Sequence, residues 1–307
     1  MNSGIVVVGS LNMDFVITVD TLPAEGETVL GSNFLMIPGG KGANQANAAS
    51  KLAKTSRVKM VGRVGYDVFA DHLKASLAAA GVDVSSVAAT RSQPTGVAFI
   101  WVDRNGQNSI VVASGANHAF LPADLPSFGS ARYVLFQLET PLATVGSALK
   151  QARREGAQTI LDPAPAQALS AELLSNVDLL TPNETEACIL LGRKPSRVSM
   201  AEAPALARAV HALGPKAVIV KLGEQGCFYF DGQTEIHSPG FPVEAKDTTA
   251  AGDTFNAALA VALSEEMPTE EALRFANAAG ALSVTRQGAQ ASTPSRKEVD
   301  QFLSQSL

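Results

Sequence analysis

The chain has 307 residues, 46% of them hydrophobic and 17% charged, so it can bury a large core and does not read as a disordered segment. Its 24 Lys and Arg against 29 Asp and Glu give a net charge of -5 without a long run of like charge, which argues against a nucleic-acid partner. No apolar run approaches the roughly 18 residues of a membrane span, and residues 5–8 lack the length and basic start of a signal peptide, so a cytoplasmic chain without membrane contact is expected.

Residues 5–8 read as a strand buried on both faces, and residues 15–19 and 28–34 as two more joined by a turn containing Pro and Gly. Next, Pro38-Gly39-Gly40-Lys41-Gly42-Ala43-Asn44-Gln45-Ala46-Asn47 joins an extended stretch to a helix over 43–53. Its glycines let backbone approach a polar ligand, and Asn44 and Asn47 offer side-chain hydrogen bonds, although such turns are often purely structural. Lys41 at a helix N-terminus opposes the macrodipole, and a nearby phosphate would account for it. The GxxxxGK[ST] spacing is absent from the chain, which disfavours a P-loop kinase.

A strand at 58–61 and a helix at 69–80 follow. Residues 95–102 and 109–113 then read as strands around Asp103-Arg104-Asn105-Gly106, and Asn-Gly between strand formers signals a hairpin. With the early pair, these strands predict a small lid sheet, inserted at about 14–37 and 94–115; edge strands of the main sheet are the alternative. Further strands at 133–136, 159–161, 178–181, 217–221 and 227–230 alternate with helices at 142–154, 203–213, 254–263 and 270–284. Stretches 121–126 and 162–165, which contain Pro, read as loops. The alternation predicts one Rossmann-like α/β/α domain over 1–307, three layers around a mostly parallel sheet.

Cys188 and Cys227 read as structural thiols, and His72, His118, His211 and His237 show no zinc spacing. Two strings follow strand carboxyl ends, where open α/β sheets place ligands: Asn183-Glu184-Thr185-Glu186 and Lys221-Leu222-Gly223-Glu224-Gln225-Gly226. Alone they are weak, since Asn183 and Glu186 also suit a helix start and the glycines a hairpin turn. The sharpest string is Asp247-Thr248-Thr249-Ala250-Ala251-Gly252-Asp253-Thr254-Phe255, after a strand-like stretch at 241–245. Its small residues and the free N–H groups of a first helical turn can receive an anion. Asp253 there either accepts the proton of an attacking hydroxyl or caps the helix, and the string leaves both open.

These segments, in this order, resemble the ribokinase-like sugar kinases from about Ile5 to Val299. The resemblance implies transfer of the γ-phosphoryl group of ATP to O5 of D-ribose, with deoxyribose, fructose or a nucleoside as other acceptors and a non-catalytic sugar-binding regulator as the reading from another class. Met13, between Asn12 and Asp14, and Met36-Ile37-Pro38 depart from the pattern familiar in ribokinases and keep the other sugars open, while only 6% aromatic residues favour a free sugar over a nucleoside. By the same resemblance, Asn12, Asp14, Gly40, Lys41, Asn44 and Glu139 grip the sugar, Asp253 is the base, and Ala250, Ala251 and Gly252 form an anion hole with the Asp253 N–H. Asn183 and Glu186 act near magnesium and the phosphates. Lys221, Gly223, Gly226, Gly252 and Asn277 line the ATP groove. Asp247, Thr249, Ser283, Arg286, Gly288 and Ser292 supply a potassium site, partly through backbone carbonyls, and the lid sheet forms a homodimer interface.

Overall fold

A computed structural model of the chain describes residues 4–104 and 108–305. In β1 (Gly4–Val8), Ile5 and Val7 join one apolar cluster while Val6 and Val8 join another. Successive strand side chains point to opposite faces, so a strand that is apolar throughout requires cover on both. β2 (Asn12–Val19) and β3 (Gly31–Gly39) then pair antiparallel outside the main sheet.

After α1 (Lys41–Leu52), β4 (Val58–Gly65), α2 (Val68–Ala79) and β5 (Asp83–Thr90), the chain leaves the main sheet again as β6 (Gly96–Val102) and β7 (Asn108–Ala113). β6 pairs parallel with β2 and antiparallel with β7, giving a separate four-stranded sheet in the order β3-β2-β6-β7. These strands are therefore not edges of the main sheet. The expected turn at Asn105-Gly106 lies outside the described residues. Phe15 of β2 stacks on Phe34 and Phe99 at 6.0 and 5.3 Å and meets Phe69 of α2 edge-on at 5.5 Å, seating the small sheet against the body.

The remainder runs through β8 (Ala131–Phe136), α3 (Leu142–Arg154), β9 (Gln158–Leu161), α4 (Ala171–Leu174), β10 (Leu179–Leu180), α5 (Glu184–Leu190), α6 (Ala203–His211), β11 (Ala217–Lys221), β12 (Cys227–Phe230), β13 (Glu235–Ser238), α7 (Ala251–Ser264), α8 (Thr269–Val284) and α9 (Arg296–Gln305). The main sheet has the order β13-β12-β11-β10-β9-β8-β1-β4-β5, parallel except where β12 pairs with β11 and β13. Residues of α1, α2, α7 and α8 pack in one cluster and those of α3 and α6 in the other, making three layers. Among the described residues, no helix is long and apolar enough to cross a membrane.

Two expected strands differ. Of 178–181 only Leu179 and Leu180 pair, because the Asp178 carboxylate accepts from the Thr159 N–H and hydroxyl and Pro182 follows. Residues 241–245 form no strand: they follow β13, which already ends the sheet, and Pro242 has no N–H to offer a ladder. β5, β13, α4 and α9 were not foreseen, since these segments are short or half-exposed and lack an apolar run.

α7 is buried nearly all round. Ala257, Ala258, Ala260 and Ala262 are fully enclosed, and their small side chains let α7 lie close between α1 and α8.

Candidate active site

Side chains of opposite sign converge beyond the carboxyl ends of the parallel strands, from the segments after β1, β8 and β9, from β11 and from the start of α7. Ala250 precedes α7 in the left-handed region, with φ of 58°, a conformation that costs a residue with a Cβ about 1–2 kcal/mol. That bend starts the helix sharply. Thr254 N–H makes the first bond, to Ala250 O at 2.9 Å, and Ala251 N–H reaches Thr248 O at 3.3 Å. The N–H groups of Gly252 and Asp253 have no acceptor among the described residues, and they lie at the positive end of the helix dipole.

The Asp253 side chain does not cap its own helix. It turns to α1, where Asn44 Nδ2 donates to Oδ2 at 3.1 Å and Gln45 Nε2 donates to Oδ1 at 3.1 Å. Gln45 also donates to Asp162 Oδ2 at 3.2 Å. Asp162, just past β9, pairs with Lys221 Nζ at 2.9 Å. Burial raises the Asp253 carboxyl to about 6; Asp162 adds to the rise, and Lys41 with the two amides opposes it. A buried carboxyl brought toward neutral pH can take up and release a proton during turnover.

On the side of the small sheet, Asp14 lies among carboxylates. Burial first, then Glu139 and Asp253, raise it to about 7. Glu139 accepts from Ser10 Oγ at 2.5 Å and from the Lys41 N–H at 3.1 Å. Asn12 Oδ1 accepts from Asn117 Nδ2 at 2.7 Å, which fixes the Asn12 amide. Gly40 has φ of 89°, and a Cβ there would fall 2.7 Å from the Asn12 nitrogen, so glycine is required. The Lys41 ammonium is held charged, above its ordinary range, by Asp253, Asp162, Glu139 and Glu186 despite its burial. A cleft of 420 Å³ opens here, lined by Asn12, Ser114, His118, Glu139, Thr140 and Gln167 among others.

Asn183 and Glu186 form a reciprocal cap at the start of α5: Glu186 N–H donates to Asn183 Oδ1 at 2.8 Å, and Asn183 N–H to Glu186 Oε2 at 2.7 Å. Both are thus helix-start residues, but Glu186 also faces Lys221 and Asp162, and burial raises its carboxyl. Gly223 and Gly226 bound a tight turn after Lys221. Asn277 spends its amide N–H groups on Ser238 and Pro239, tying α8 to the segment that leaves β13.

Of the potassium candidates, Asp247, Thr249 and Gly288 meet directly. Asp247 accepts from the Thr249 and Gly288 N–H groups at 2.9 and 2.8 Å, and these bonds depress its carboxyl. Ser283 and Ser292 donate to carbonyls within their own turns, and the Arg286 guanidinium pairs outward with Glu298, so these three offer carbonyls rather than side chains. Among the described residues no group of three or more His, Cys, Asp and Glu could hold a metal ion. The donors therefore suit a cation bound largely through backbone oxygen.

Sequence reasoning missed Ser10, Gln45, Asn117, Gln137 and Asp162. Asp162 had a signal, because it follows a strand carboxyl end just as Asn183 does.

A family model described as pfkB family carbohydrate kinase matches residues 2–296. The chain is 42% identical over 311 residues to a ribokinase of Haemophilus influenzae, covering 99% of each chain. It is 44% identical over 304 residues to a ribokinase of Bacillus subtilis, covering 98% of this chain and 99% of that one. The structure of an Arabidopsis thaliana ribokinase complexed with ribose and ATP superposes with a TM-score of 0.89 at 36% identity, covering 99% of both chains.

Proposed function

Because the chain belongs to the pfkB family of carbohydrate kinases, we propose that it phosphorylates D-ribose at O5 with ATP, giving ribose 5-phosphate and ADP. The observation that carries this reading is Asp253, buried with a raised carboxyl beside two unpartnered N–H groups and within the field of Lys41 and Lys221. Ribose as the acceptor is supported by ribokinase relatives above 40% identity along the whole chain.

In this mechanism Asn12, Asp14, Gly40, Lys41, Asn44 and Glu139 grip the sugar, and Asp253 accepts the O5 proton as the oxygen attacks the γ-phosphorus. The O5–P bond forms, the bond from phosphorus to the bridging β,γ-oxygen breaks, and ADP leaves with that electron pair. Ala250 sets the bend that points the Gly252 and Asp253 N–H groups, with that of Ala251, at the charge developing on the transferred group. Lys221, Gly223, Gly226 and Asn277 border the nucleotide. Magnesium, when bound near Asn183 and Glu186, supplies positive charge to the phosphate oxygens; the excess of carboxylate around Glu186 favours such a cation. Potassium would be held by Asp247, Thr249, Ser283, Arg286, Gly288 and Ser292, steadying the segment that leads into the anion hole.

The small sheet exposes Phe34, Leu35, Phe99, Ile110 and Val111, a surface suited to a second copy of the chain. We place the enzyme in the cytoplasm, consistent with its two buried, unpaired cysteines. The test is ADP release by purified protein with Mg-ATP and ribose, deoxyribose, fructose or adenosine, each with and without potassium. Turnover highest with ribose upholds the proposal, and a preference for another acceptor refutes the substrate assignment.

A further inference from the structure

Gln45 and Gln137 have no role in the mechanism above, yet they lead directly to Asp253. Gln45 Nε2 donates to Asp253 Oδ1 and Asp162 Oδ2, while its Oε1 accepts from Gln137 Nε2 at 2.6 Å. Gln137 follows β8 and is fully buried, and its own Oε1 has no partner. A buried amide with an unpartnered end is destabilising, and an apolar side chain of similar length would avoid the cost. What glutamine adds at this position is the bond to Gln45. The room for it depends on Gly9, where a Cβ would fall 2.0 Å from Gln137 Oε1.

A primary amide has nearly the same shape when turned over, so only its partners decide which end faces which neighbour. We propose that Gln137 is a positioning residue: by donating to Gln45 Oε1 it fixes the Gln45 amide so that N–H, and not carbonyl oxygen, meets Asp253. Turned over, Gln45 would set its oxygen against two carboxylates and favour the protonated form of Asp253. The other charged groups facing Asp253 are Lys41 from α1, Asp162 after β9, Lys221 from β11 and Asp14 from β2. None of them hydrogen-bonds Gln137 among the described residues, so changing Gln137 leaves them in place. The inference rests on the reading of Asp253 as the base.

The test is Gln137→Met, with kcat, KM and Tm measured between about pH 5 and 9. Loss of one hydrogen bond to a charged group should move the acid limb of the kcat profile up by about one pH unit, lowering kcat at pH 6 by about fivefold to tenfold. KM for the sugar should stay unchanged, and Tm should hold or rise. Gln45→Met should shift the limb in the same direction, and it decides the matter if Gln137→Met is insoluble. An unmoved pH profile with a lowered Tm would overturn the proposal and leave Gln137 as core filling. Asp253→Asn in the same series separates the two claims: if it keeps turnover, the base assignment itself fails, whatever Gln137 does.

Discussion

Lys221 Nζ lies 2.9 Å from Asp162 Oδ1, with the two side chains only 12% and 4% exposed. This ion pair joins β11 to the loop after β9 directly behind the reacting groups. Removing one member strands a buried charge, whereas removing both does not. Lys221→Met should cost about 3–5 kcal/mol in urea unfolding. The double variant Lys221→Met with Asp162→Leu should recover most of that stability while remaining inactive. Recovery of activity in the double variant would show that the pair serves folding alone.

Asp253 gives up stability for its chemistry. Its carboxyl is raised from 3.8 to about 6, so between those values the folded state binds more protons than the unfolded state. Stability is therefore lost as pH rises from about 3.8 through about 6. Asp253→Asn should abolish turnover yet stabilise the protein at pH 8 by about 1–3 kcal/mol, less than the full linkage because an amide sets a donor against Asn44 or Gln45. Denaturation curves at acid and alkaline pH check this, and the gain should vanish at low pH.

Asp14 is expected to act on binding. Asp14→Ala should raise KM for the sugar by about 10- to 100-fold, the loss of a hydrogen bond to a charged group, with a smaller effect on kcat. Calorimetric titration with sugar alone provides the second measurement. A fall in kcat at unchanged sugar affinity would move Asp14 from binding to chemistry.

Asp247 joins the segment before the anion hole to Gly288. Asp247→Ala should bring the ratio of kcat with and without potassium close to one. If the variant keeps full potassium stimulation, the cation binds elsewhere.

The body of the fold was legible because β1 is apolar on both faces and the helices after it keep apolar spacing. Asp253 and the small residues before it were legible as one short string. Gln45 stood in plain view within the glycine-rich segment, but nothing in a string tells a glutamine on a helix that its partners lie beyond residue 160 or 250. Gln137 was harder still, since its meaning lies in one contact across the core. The stretch at 241–245 misled because alternation suggests a strand wherever it occurs, whereas only a neighbouring ladder can make one.

The alanine packing that encloses α7 also sets the order in which heat undoes the enzyme. The base hangs from a helix sealed in the core, while Asp14 is carried by a small sheet whose outer strands are largely exposed. Sparse burial opens first on warming. The protein should therefore demand more sugar several degrees before it loses the ability to phosphorylate it, so that a saturating assay overstates its working range and a dilute one reports it.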